Sequence, residues 1–140
     1  MSGLVTDYEL DRWDDCMFEG ITELTFCQLD ISKLPKLPDT LESLICLGNE
    51  NLTELSELPK TLTKLHCWNN NKLTSLPELP EKLIYLDCRD NQLTFLPKIP
   101  ESIAVLNHYN NQFTSVYKTN IPKPKIKEQL NFWSSFKNKK

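Results

Sequence analysis

Apolar positions recur along this chain with a fixed stride. From Leu41 the residues run L-E-S-L-I-C-L-G-N-E-N-L-T-E-L-S-E-L-P. From Leu62 they run L-T-K-L-H-C-W-N-N-N-K-L-T-S-L-P-E-L-P, and from Leu83 L-I-Y-L-D-C-R-D-N-Q-L-T-F-L-P-K-I-P. Weaker copies begin at Ile21 and Ile103, so the five starts lie 20, 21, 21 and 20 residues apart. A period of this length marks a solenoid, in which each unit buries its apolar face only against its neighbours.

Each repeated position has a physical role. Leu24, Leu44, Leu65, Leu86 and Leu106 alternate with Phe26, Cys46, Cys67, Cys88 and His108. A period of two predicts a short strand with these residues on the buried face. Asn49, Asn70, Asn91 and Asn111 follow at a bend, where their amides can satisfy backbone groups left unpaired. Leu52, Leu73, Leu93 and Phe113 then point inward again. The return path is L-P-x-L-P or a variant of it, over 34–38, 55–59, 76–80 and 96–100. Proline lacks a donor and disfavours helix in the residue before it, which predicts an extended, polyproline-like return. The expected architecture is a β-rich repeat solenoid, with a parallel β-sheet on the concave face and an extended convex side.

The flanks read as caps. Residues 1–20 hold six acids against Arg12, and Thr6-Asp7-Tyr8-Glu9 fits a helix capping box followed by Leu10, Trp13 and Met17 on one face. This predicts an acidic, helical N-terminal cap. Five repeats then occupy 21–122. Residues 123–140 are basic, with Ile126, Leu130, Trp133 and Phe136 at near-helical spacing after Pro124, which predicts a helical C-terminal cap.

The x-L-P-x-L-P-x-x-L-x-x-L-x-C-x-x-N-x-L-T pattern over 21–122 resembles the short LPX class of leucine-rich repeats. That class occurs in bacterial secreted effectors and in repeat proteins of large amoeba-infecting DNA viruses, and the cysteine at the second strand position looks more like the viral set. The resemblance implies a leucine-rich repeat fold and says little about function. Leu29 stands where other repeats have Asn, and Ser56 replaces the first proline of repeat two. Some LPX effectors carry a ubiquitin-ligase domain after the array. The roughly 20 residues after the fifth repeat are too few for a catalytic domain, which typically needs at least ~50.

Bulk properties narrow the function classes. The chain has 140 residues, 39% hydrophobic and 25% charged, with net charge -3, an ordinary composition for one globular domain. The acidic balance argues against nucleic acid as a partner. No segment is apolar enough for a membrane span, and the N-terminus lacks a signal-peptide pattern. Five cysteines, an odd count, do not look like a disulfide framework, so the expected location is cytoplasmic, the host cytoplasm for a viral or effector protein. The expected state is a monomer.

Candidate chemistry falls on the outward strand positions. One column is Glu23, Ser43, Lys64, Tyr85 and Val105; the next is Thr25, Ile45, His66, Asp87 and Asn107; the third is Cys27, Leu47, Trp68, Arg89 and Tyr109. His66 beside Asp87 has the form of a catalytic pair, yet no serine or outward cysteine adjoins it in repeats two to five. It reads as an ordinary cross-strand pair. Cys46, Cys67 and Cys88 read as inert core rather than a metal site, and Cys27 as an outward bystander. No catalytic, metal or cofactor site is expected. The third column carries Leu47, Trp68 and Tyr109 around Arg89, residue types enriched in protein interfaces. The expected function is non-enzymatic protein binding through the concave face by Trp68, Arg89, Tyr109, Tyr85, Leu47, His66 and Asp87. A structural, self-assembling role is the alternative.

Overall fold

The computed structural model describes residues 2–5, 18 and 20–114. Six strands form one parallel sheet in sequence order: β1 (Ser2–Val5), β2 (Glu23–Cys27), β3 (Ser43–Leu47), β4 (Lys64–His66), β5 (Tyr85–Asp87) and β6 (Val105–Asn107). The register advances by one repeat per strand, Leu24 facing Leu44, Leu65, Leu86 and Leu106 in turn. The molecule is therefore a parallel β-solenoid of leucine-bearing coils. β1 is an additional strand, paired from Ser2–Glu23 to Val5–Phe26, in the segment where only a helical cap was expected. Most of the expected helical cap over 1–20, including its capping box at 6–9, and the whole C-terminal cap over 123–140 lie outside the described residues.

The core is the stack of equivalent leucines. Leu24, Leu44, Leu65 and Leu86 are wholly excluded from solvent, as are Leu41, Leu62 and Leu83 at the coil starts and Leu52, Leu73 and Leu93 after the bend. Phe26, Cys46, Cys67 and Cys88 lie fully buried beside them. Burying one leucine contributes about 1.5–3 kcal/mol, so each coil adds several such terms only when a neighbour covers it.

Two turns per coil close the path. Before each strand, the amides of Leu41, Leu62, Leu83 and Ile103 donate to the carbonyls of Pro38, Pro59, Pro80 and Pro100 at 3.0–3.2 Å. After each strand, one residue turns into the left-handed region: Gln28, Gly48, Asn69, Asp90 and Asn110, with φ of 54–64°. Glycine, Asn and Asp tolerate that region, and four of the five positions use them. The return path contains no helix, as the prolines predict. Neighbouring coils still touch there, through a parallel bridge between Lys33 and Glu54 and a bond from the Thr53 amide to the Ser32 carbonyl at 2.9 Å.

The asparagine positions tie each coil to the one before. Asn70 Oδ1 accepts from the Asn49 amide at 3.0 Å, Asn91 Oδ1 from the Asn70 amide at 2.9 Å, and Asn111 Oδ1 from the Leu93 amide at 3.0 Å. Their Nδ2 groups donate the other way: Asn70 to the carbonyls of Cys46 at 3.0 Å and Cys67 at 2.9 Å, Asn91 to those of Cys67 at 2.7 Å and Cys88 at 2.9 Å. Leu29 interrupts this series without leaving a defect. Its amide donates to Asn49 Oδ1 at 2.9 Å, so the first coil receives the ladder without extending it.

Candidate functional site

The outward face of the sheet carries the three predicted columns in register. Glu23, Ser43, Lys64, Tyr85 and Val105 pair in sequence, as do Thr25, Ile45, His66, Asp87 and Asn107. The third column begins as a strand pair, Cys27 with Leu47, and continues beyond the short later strands. There the Asn69 amide donates to the Arg89 carbonyl at 3.3 Å and the Asp90 amide to the Tyr109 carbonyl at 3.0 Å. Trp68, Arg89 and Tyr109 therefore lie side by side although strand geometry has ended.

Arg89 is the centre of this face, and it is not the exposed side chain its position implied. Its guanidinium carbon sits 4.8 Å from the Trp68 ring centre and 5.7 Å from that of Tyr109. Nη1 donates to the Tyr109 hydroxyl at 2.7 Å, and Nε lies 3.6 Å from Asp87 and 3.7 Å from Asp90. Arg89 retains only 7% of its exposure and Asp87 2%. A charge in such a position must be paired, and here two carboxylates do so. The flanking rings add cation–π attraction of about 1–2 kcal/mol where solvent is excluded. Tyr109 is exposed, while Trp68, Leu47, Tyr85 and His66 are partly buried.

His66 and Asp87 are register partners, yet each is engaged elsewhere. The His66 ring stacks on Tyr85 with centroids 4.5 Å apart. The Asp87 carboxylate takes Arg89 on one oxygen and the Asn107 amide on the other at 3.5 Å. Burial, with Lys64 and Arg89 nearby, pulls the His66 imidazole down to about 4, so it is neutral at ordinary pH. Burial raises the Asp87 carboxyl, with Arg89 opposing that rise. Tyr85 is raised by burial and by Asp87. Ser43, paired with Lys64 in the first column, is itself buried at 7%. This arrangement orders rings and balances charges.

The cysteine column lies wholly inside. Cys46, Cys67 and Cys88 are fully buried, and burial drives all three thiols upward, Cys88 to about 12. A thiol held protonated is a poor nucleophile and a poor metal ligand. Cys27, on the outward face, is partly accessible.

The predicted residues share this face, but Arg89 and Asp87 are buried rather than open. Asp90 was missed, although an acid directly after Arg89 is a signal that an arginine has a local partner. Asn107 was assigned to its column without a role, and it closes the far side of Asp87.

No protein-family model matches this chain, and no curated protein does. Among solved structures, YopM from Yersinia enterocolitica WA-314 is similar, at 30% identity with a TM-score of 0.45, over 64% of this chain. The chain spans 24% of the length of that structure. No helix among the described residues is long and apolar enough to cross a membrane.

Proposed function

We propose that this chain is a non-enzymatic protein-interaction module of the leucine-rich repeat kind, binding its partner through the outward sheet face. The observation that carries this reading is the sandwich of Trp68, Arg89 and Tyr109 across three consecutive coils. The buried leucine stack accounts for coil stability without these residues. Their ordering produces a preassembled aromatic surface. Such a surface loses little side-chain entropy on binding, which favours affinity. Trp68, Tyr109, Leu47, Tyr85 and His66 make the contacts in this reading, while Asp87 and Arg89 brace them from beneath.

The test is affinity capture from the native host, comparing Trp68→Ala and Tyr109→Ala with the convex changes Glu57→Ala and Lys98→Ala. Removing a central aromatic should weaken capture of the main partner by roughly tenfold or more, and the convex changes should leave it intact. Circular dichroism establishes that each variant is folded. If face variants bind like the parent while convex variants do not, the binding surface lies on the other side.

A further inference from the structure

We infer that the outward face takes an uncharged, extended peptide segment of its protein partner, seated through an aliphatic or aromatic side chain against Ile45, Leu47 and Trp68. This inference rests on the face proposed above and specifies the chemistry of what binds there.

Two observations lead to it. The first is the distribution of apolar surface. Ile45 and Leu47 on β3, with Cys27 beside Leu47 in register, are all partly exposed, and Trp68 follows in the next coil of the same column. They form a continuous apolar strip on the N-terminal half of the face, ending at the Arg89 sandwich.

The second is charge. The acids of the three columns are Glu23 and Asp87, and the bases are Lys64 and Arg89, so the two signs balance. Glu23 and Lys64 are both exposed, at the same column position two coils apart. Arg89 offers little of its guanidinium outward, being buried at 7% with Nε beside Asp87 and Asp90 and Nη1 on the Tyr109 hydroxyl. A partner segment with a run of like charge would lose hydration on docking and meet Glu23 and Lys64 in equal number, so attraction to one is offset by repulsion from the other. An uncharged segment carries no such cost, and its apolar side chain gains by leaving water.

Length follows from strand spacing. Crossing from β2 to β6 covers four gaps of about 4.8 Å, and an extended chain rises about 3.3 Å per residue, so roughly six residues span the face.

The experiment uses the full chain as bait for a phage-displayed library of random dodecapeptides. Enriched peptides are then synthesised and titrated by fluorescence anisotropy at about 50 and about 500 mM NaCl, where screening lengths differ severalfold. The expected winners share a short uncharged stretch with an aromatic or aliphatic residue, and their affinity changes less than about threefold with salt. Leu47→Asp, and the milder Ile45→Ser should the first perturb folding, each weaken them by roughly tenfold or more. Peptides with runs of like charge, weakened about tenfold or more by salt yet still dependent on Leu47 and Trp68, would overturn the uncharged segment and leave the face standing. Peptides indifferent to Ile45, Leu47 and Trp68, or no enrichment at all, overturn both.

Discussion

Asn70 makes more bonds than any core leucine can, because its amide reaches backward and sideways at once. Its Oδ1 holds the Asn49 amide, and its Nδ2 reaches the carbonyls of Cys46, Cys67 and, at 3.3 Å, Trp68. All of these bonds are buried except the one to Trp68, which is partly so. Asn70→Ala should cost about 3 kcal/mol or more, read as a lower midpoint in urea, because it strands several buried backbone groups. A loss below about 1 kcal/mol would show that water replaces the amide readily. Gln28 makes the opposite case. It sits at φ 55° where the equivalent positions hold Gly48, Asn69, Asp90 and Asn110. Gln28→Gly should therefore stabilise by about 0.5–1 kcal/mol, the left-handed strain relieved exceeding the added flexibility of glycine. An unchanged or lower melting temperature would refute that balance.

At the scale of one element, β4 and β5 carry two groups that shift the response of the fold to acid in opposite directions. The folded state holds His66 near 4, below its ordinary 6.5, so the unfolded chain takes up its proton first. That contribution is fully present above about 6.5 and is lost as pH falls toward about 4. Asp87 works in the other direction. Its folded carboxyl is raised above the ordinary 3.8, so acidification favours the folded state there. His66→Gln should accordingly flatten the loss of stability between pH 6.5 and 4, whereas Asp87→Asn should steepen it. Denaturant midpoints across that window check both signs, and equal slopes in the two variants would contradict the assignment. The return element shows a different compensation. Where repeat two lacks a proline, Ser56 Oγ donates to the Pro35 carbonyl at 2.9 Å, tying that segment to the previous coil.

Across the whole molecule, stability is a sum over neighbouring coils, and the cysteines report on it. Cys27 is partly accessible, while Cys46, Cys67 and Cys88 are closed inside adjacent coils. Under native conditions a thiol reagent should label Cys27 well before those three, whose labelling waits for coils to separate. Mass spectrometry of the labelled peptides resolves the order. Early labelling of Cys67, at the centre of the stack, would mean that the coils open far more freely than their burial implies.

The sequence by itself determined the coils. Their stride, the inward set from Leu24 to Leu106, the extended proline returns and the three outward columns all follow from alternation and from backbone rules local to a repeat. Such rules act within a few residues, so they are legible one coil at a time. Tertiary structure decided what passes between coils. The asparagine amides are shared across neighbours, β1 extends the sheet where a cap was expected, and Trp68 and Tyr109 enclose Arg89. The same holds for His66, whose ring stacks on Tyr85. Those choices join side chains from separate coils, often 19–21 residues apart. They depend on rotamers, lateral offsets and the cost of leaving a buried charge unpaired, and none of these is written in the period of the repeat.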